Sequence, residues 1–313
     1  MLEAVSIKMS ELDELNKLFT SKNVDDVIKF YDHFDNAEQL IEWMKSRPSA
    51  PMKIYEVEGD KDIVIVIPTA NHNGEYARNC ADEIFKGQQI VFVDSNGPFF
   101  NYARSCNFGL KYALKYNPKW IILSNDDVIK VDQFSKLKDA LSSIDPESTD
   151  IVYITPSNYH SISKWVVKAN ILLKLIMLIL DKNYYDYIRI LRKFSIKYDM
   201  VREFRLRRGR KLLYKTFYKF LYLGDFVIFS NKFISSKEKV FDETYINNCE
   251  DVALSLSISS NDNTKIKFVD FILDDKVGGT LGQDKSREFR GIISLCYIQD
   301  ELLAHINHLE HFK

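Results

Sequence analysis

The run Asp62, Ile63, Val64, Ile65, Val66 and Ile67, closed by Pro68, constrains the fold more than any other stretch of the chain. Five β-branched residues in a row fit neither helical spacing nor the alternation of a half-wet strand. They make a strand covered on both faces, the habit of a parallel sheet. Pro68 has no N–H to give to a ladder and so marks the end. Beyond it strand and helix alternate: residues 75–85 suit a helix, 90–93 a second strand, 99–116 a second helix, 120–123 a third strand and 150–154 a fourth. This alternation predicts an α/β fold, a mostly parallel sheet flanked by helices, whose ligand site lies beyond the carboxyl ends of the strands.

Before the sheet, apolar residues recur at helical spacing (Leu15, Leu18, Phe19; Val24, Val27, Ile28, Tyr31; Leu40, Ile41, Met44), predicting a helical N-terminal extension over 1–52. It closes on Ser46-Arg47-Pro48-Ser49-Ala50-Pro51, which breaks helix and reads as a linker. A catalytic domain is expected over 53–282, with further strands at 226–229 and 265–271. A helical tail follows over 283–313. Within the domain the alternation stops, and residues 158–222 are expected as a basic helical insertion.

Charge shows that insertion more clearly than any motif. The chain has 43 Lys+Arg against 44 Asp+Glu, a net of −1, yet residues 160–219 hold 16 Lys/Arg and four acids, a net of +12, leaving −13 elsewhere. At 46% hydrophobic and 28% charged the chain is of globular type, neither disordered nor a disulfide scaffold. Cys80, Cys106, Cys249 and Cys296 form no C-x-x-C pair and are expected as small core residues in a reduced, intracellular chain. No uninterrupted apolar run opens the sequence, so no signal peptide is expected. His305, His308 and His311, three apart on the tail, are expected on an interhelical or solvated face rather than on zinc, which favours an i, i+4 pair.

Polar and acidic residues gather at the strand ends: Pro68-Thr69-Ala70-Asn71, Asp94-Ser95-Asn96-Gly97, and Ser124-Asn125-Asp126-Asp127. Adjacent carboxylates just past a buried strand repel one another, and a divalent ion bridging to a diphosphate removes that repulsion; a solvated Asn-Asp-Asp turn is the alternative. Asp94 is placed to accept from a base or ribose, or simply to close a turn. Downstream, Phe241-Asp242-Glu243 is followed by Cys249-Glu250-Asp251, where a carboxylate could take the proton of an attacking hydroxyl or favour a helix N-terminus.

In order and spacing these motifs resemble the inverting GT-A glycosyltransferases of the large family 2, over residues 63 to about 280. The likeness rests on Ile67-Pro68-Thr69 with Asn71, on Asp94-Ser95-Asn96-Gly97, on Asn107-x-Gly109, and on Asn125-Asp126-Asp127-Val128 as a variant D-x-D motif. Gly224-Asp225-Phe226, Phe241-Asp242-Glu243 and Glu250-Asp251 complete it. The resemblance implies a Rossmann-like GT-A sheet and a nucleoside-diphosphate sugar as donor. It implies a pocket of Pro68, Thr69, Asn71, Asp94 and Asn107, with Asp126 near the ribose or sugar. It gives Asp127 the Mn²⁺ or Mg²⁺, Asp251 the role of catalytic base and Glu250 that of runner-up. Relatives often carry a metal-ligating His before a Gly-Gly-Ser stretch; here Asp275 precedes Gly278-Gly279-Thr280, and a carboxylate suits a hard ion at least as well.

The acceptor is expected to be a glycan, a lipid-linked molecule or a protein. The basic residues 160–219, with Trp165 at the start of an apolar run, are expected to meet an anionic membrane surface, an anionic acceptor or a partner subunit. The first case would place a cytoplasmic enzyme at the inner face of the membrane. Nucleic acid is not expected, since no recognised module accompanies the charge. Two other readings stay open: a nucleotidyltransferase, which would need a basic Gly-rich loop where Asn71-His72-Asn73-Gly74 stands, and a catalytically degenerate GT-A domain acting as a membrane or assembly scaffold.

Overall fold

The computed structural model describes residues 9–155, 159–163, 184–196, 217–221, 223–261, 263–275 and 284–311. Its strands are β1 (Lys53–Val57), β2 (Asp60–Thr69), β3 (Gln88–Asp94), β4 (Trp120–Ser124), β5 (Val128–Lys130), β6 (Ile151–Thr155), β7 (Tyr159–Ser163), β8 (Phe217–Leu221), β9 (Phe226–Ser230), β10 (Ile266–Asp270) and β11 (Leu273–Asp275). Seven form one sheet in the order β1-β3-β2-β4-β9-β6-β10. β2 is parallel to both β3 and β4, and β6 to β10, while β1 and β9 run against their neighbours. The predicted α/β sheet is therefore present, mixed rather than purely parallel.

The β-branched run supplies both faces of its centre. Ile63, Ile65 and Ile67 join one apolar cluster and Val64 and Val66 the other, and all five are at most 5% exposed. Burying each contributes roughly 1.5–3 kcal/mol, which fixes the register of β2. β1 was not foreseen. Its residues show no clean alternation, and as an edge strand it is largely exposed, with Tyr55 and Val57 among the open apolar side chains.

The helices are α1 (Met9–Thr20), α2 (Val24–Asp32), α3 (Ala37–Ser46), α4 (Glu75–Asn79), α5 (Tyr102–Ala113), α6 (Phe134–Ser142), α7 (Tyr184–Lys193), α8 (Asn231–Ser235), α9 (Glu250–Ser259) and α10 (Lys285–His311). α4 and α6 cover the Ile face of the sheet; α5, α8 and part of α9 cover the Val face. The single helix expected over 75–85 ends at Asn79 and continues as a π-turn, Cys80–Ile84, in which the Phe85 N–H reaches the Cys80 carbonyl at 2.8 Å. The widened turn lets the Cys80 thiol donate to the Asp126 carbonyl at 3.3 Å, beside the acidic strand end.

A third cluster joins distant parts of the chain. α1, α2 and α3 pack with α7, α9 and α10 around Phe19, Phe30, Trp43, Tyr245, Val252 and Ile293. α9 is thus shared, turning Leu254 and Ile258 to the sheet and Val252, Ala253 and Leu256 to the helical layer. Its apolar residues are buried on both sides, and its exposed positions are serines, Ser257 and Ser259.

The insertion was expected to be helical. Its described ends are instead a ribbon, β7 antiparallel to β8, pairing Tyr159 with Leu221 and Ser163 with Phe217. Aromatic and β-branched residues favour the pleated form there. α7 lies between them in sequence and docks on α2: Arg189 pairs with Asp32 at 2.7 Å and the Lys193 ammonium donates to the Tyr31 carbonyl at 2.8 Å. The apolar run from Trp165 and the Arg cluster at 202–211 lie outside the described residues. Among the described residues no helix is long and apolar enough to cross a membrane.

Candidate active site

The three polar strand ends meet where the parallel strands point. At the end of β2 the Thr69 hydroxyl donates to Asp126 Oδ2 at 2.6 Å and accepts from the Asn71 N–H at 3.2 Å. Thr69 and Asp126 are 3% and 5% exposed, so this bond ties the ends of β2 and β4 out of contact with water. Asp127, the next residue, is half-buried and the more accessible of the pair. Asn125 is fixed from two sides. Its Oδ1 accepts from the Tyr102 hydroxyl at 2.7 Å, and its Nδ2 donates to Asp225 Oδ1 at 3.0 Å, so Gly224-Asp225-Phe226 and α5 both brace the acidic turn.

Asp94, at the end of β3, is held by His72. Its Oδ2 accepts from the His72 N–H at 3.2 Å and lies 2.7 Å from His72 Nδ1. The other ring nitrogen, Nε2, lies 2.9 Å from Asn73 Nδ2. With the Asn73 amide donating there, Nδ1 carries the proton and gives it to Asp94. The His72 ring stacks on Tyr55 of β1, centroids 3.5 Å apart and planes 9° apart. Gly97, at φ 101°, makes the turn after Asp94 in a conformation natural to glycine. Asn71 and Asp94 therefore line the strand ends together with His72 and Tyr55, neither of which the motifs had marked. Tyr55 was hidden because β1 was.

The acidic pair Glu250-Asp251 opens α9. The turn before it carries two non-glycine residues in the left-handed region, Asn247 at φ 49° and Cys249 at φ 70°. Such residues cost on the order of 1–3 kcal/mol and persist only where neighbours enforce them. Asn247 Oδ1 accepts from the Tyr102 N–H at 2.8 Å and its amide donates to the Phe100 carbonyl at 2.9 Å, joining this turn to the start of α5. From α10, Ser294 Oγ accepts from the Ile246 N–H at 3.2 Å and the Gly291 carbonyl accepts from Asn248 Nδ2 at 3.0 Å. A Cβ at Gly291 would stand 2.8 Å from that amide, so glycine permits the approach.

Asn107, expected in the nucleotide pocket, is committed elsewhere. It is 6% exposed; its amide donates to the Phe241 carbonyl at 2.8 Å and to Glu243 Oε1 at 3.1 Å, and its Oδ1 accepts from the Val240 and Phe241 N–H groups, both at 3.0 Å. With donor and acceptor spent on 240–243, Asn107 holds that segment rather than a ligand.

Glu250 and Asp251 differ in setting. Glu250 is 7% exposed, and its Oε2 is buried with no hydrogen-bond partner among the described residues. Burial first, and the Asp251 charge second, push its pKa up to about 8, against a smaller lowering by backbone hydrogen bonds at Glu250 and Asn248 and by Arg287. At neutral pH Glu250 keeps its proton, which leaves Asp251, half-buried at the helix start, as the better placed acceptor.

For a divalent ion, the backbone brings two proposed ligands to neighbouring strands. β11 pairs antiparallel with β5 so that Asp275 lies opposite Val128, the residue after Asp127. The Asp275 side chain lies outside the described set, and among the described residues no cluster of three or more His, Cys, Asp or Glu is arranged to hold a metal. The donors at hand, carboxylates beside a threonine hydroxyl, are hard oxygen ligands of the kind Mg²⁺ and Mn²⁺ take. A hollow of about 550 Å³ opens between α6 and the edge strand β10, lined by Lys136, Asp145, Lys267 and Asp270 among others; none of the predicted site residues lines it. His305 of the tail is buried and contacts Ser260 Oγ at 3.1 Å through Nδ1, an interhelical contact. Compared with known proteins, the sequence matches no family model and no curated protein.

Proposed function

We propose that the chain is an inverting, metal-assisted glycosyltransferase of GT-A type, moving a sugar from a nucleoside-diphosphate sugar to an acceptor hydroxyl. The observation that carries this reading is the physical link between the two acidic centres. Tyr102 bonds Asn125 through its hydroxyl and Asn247 through its N–H, so one residue fixes both the Asp126-Asp127 turn and the turn that opens onto Glu250-Asp251. The strand order supports it too, with β3, β2 and β4 parallel and their polar ends together.

In this reading Asp94 accepts from the base or ribose, with His72 fixing which carboxylate oxygen is left for it. Asp127, with Asp275, would hold Mg²⁺ or Mn²⁺, which when bound offsets the charge of the departing diphosphate. Asp126, tied to Thr69, keeps the turn in place. Asp251 takes the proton of the acceptor hydroxyl as the new bond to the anomeric carbon forms and the bond to the diphosphate oxygen breaks.

Nucleotide-sugar hydrolysis with Mn²⁺ tests the proposal. Asp127→Ala should lose both turnover and metal-dependent nucleotide binding. Asp251→Asn should keep donor affinity while transfer falls roughly 10²–10⁴-fold. Neither turnover nor nucleotide binding in the wild type would leave a scaffold instead. The basic residues 160–219 we read as bringing the enzyme to an acceptor at an anionic surface; flotation with anionic liposomes that is unchanged on their deletion would remove that part.

A further inference from the structure

Arg47 sits in the segment that looks like a linker, yet its guanidinium donates to four backbone carbonyls. Nη1 donates to the Met44 carbonyl at the end of α3 and to the Thr244 carbonyl at 3.0 Å; Nη2 donates to the carbonyls of Glu243 and Tyr245, each at 2.9 Å. A planar fork with donors at fixed angles can collect several carbonyls at once, whereas an ammonium offers a compact point charge. Burial lowers the Arg47 pKa to about 10, so it stays charged at neutral pH, with the negative charge of Asp242 acting in its favour. Asn101 reinforces the grip, its amide donating to the Glu243 and Tyr245 carbonyls at 2.7 and 3.2 Å. Tyr245 is five residues before Glu250, and the strained Asn247 and Cys249 lie between them.

We propose that Arg47 is a positioning residue for the candidate base. It clamps 243–245 to the end of α3 and thereby sets where Glu250 and Asp251 stand, making the N-terminal helices part of the catalytic apparatus. Its effect on turnover rests on the glycosyltransferase reading; its effect on the segment rests on the backbone contacts alone.

The test compares wild type, Arg47→Lys and Arg47→Ala in the full chain. Hydrogen exchange over residues 243–256 should speed up about tenfold or more in Arg47→Ala and less in Arg47→Lys, with β2 and β4 unchanged. Millimolar methylguanidinium should restore part of the protection in Arg47→Ala. For nucleotide-sugar hydrolysis, kcat should fall roughly 10–100-fold with the donor KM within about twofold, because a base shifted by about an ångström still leaves the donor bound. Unchanged exchange over 243–256, or an equal loss of protection across the whole chain, would overturn the proposal, as would full kcat in a variant whose segment exchanges fast. Should Arg47→Ala fail to fold, Arg47→Lys carries the same comparison. A wild type that neither binds nor turns over nucleotide sugars defeats the functional reading, while exchange still decides whether Arg47 fixes the segment.

Discussion

Glu250 keeps its proton at a pH where an exposed glutamate would have lost it, and this has a cost that depends on pH. Its folded-state pKa, about 8, lies above the ordinary 4.5, so between those values the unfolded chain releases a proton that the folded chain retains. Over that window Glu250 makes stability fall as pH rises, at most about 1.4 kcal/mol per pH unit. Glu250→Gln keeps the shape without the ionisation. Its melting temperature relative to wild type should climb by several degrees between pH 5 and pH 8 and level off above; a difference independent of pH would show that the buried carboxyl is already ionised. Residues of the site were legible in the sequence to different degrees. Asp94, Asp126 and Asp127 stood out because each directly follows a buried strand, where a polar side chain must meet either water or a ligand. His72 and Arg47 did not, since one follows a turn and the other sits among prolines, and only the folded chain shows what each donates to. Asn107 was legible as a special position but not as a clamp, because whether an amide faces a ligand or a loop depends on contacts over 130 residues apart in the chain.

α5 shows how tightly the elements are set. A Cβ on Gly109 would stand 2.4 Å from Val66 Cγ1 and 2.7 Å from Val93 Cγ2, both on fully buried valines that have no free end to swing away. Alanine would gain about 1 kcal/mol of helix propensity, but overpacking of this kind costs typically 1–3 kcal/mol, and a conflict with two strands at once belongs at the upper end. Gly109→Ala should therefore lower the melting temperature, and Val66→Ala in the same chain should recover part of the loss; additive effects would deny the contact. Lifting α5 also moves Tyr102, so nucleotide binding should weaken alongside. Some elements were readable: β2, β3, β4, β6, β9 and β10 and the helices expected at 75–85 and 99–116 follow from period and β-branching, whereas α6 and α8 were not foreseen. β1, the π-turn at Cys80–Ile84 and the β7–β8 ribbon were not, because short edge strands and local widening of a helix depend on what packs beside them rather than on pattern.

At the scale of the molecule, one apolar cluster takes members from Leu15 near one end to Leu302 near the other and includes Tyr245, Cys249, Val252 and Leu256 around the candidate base. Extension and tail look separate in sequence because neither shares a motif with the sheet; the packing makes them one layer. Removing residues 1–46 would uncover Tyr245 and the outer face of α9, and the truncated chain should aggregate or lose cooperative unfolding by calorimetry rather than survive as a smaller enzyme. A truncation that unfolds cooperatively at the wild-type temperature would show that the layer is dispensable. Synthesis meets the same geometry in time. α1, α2 and α3 leave the ribosome first, but their partners in α9 and α10 are translated about 200 to 260 residues later, which at roughly 5–20 residues per second is on the order of 10–50 s. Through that interval Phe19, Phe30 and Trp43 have nothing of α9 or α10 to cover them. Until α10 has emerged those side chains need other cover, and the layer behind the Asp251 turn cannot close before then.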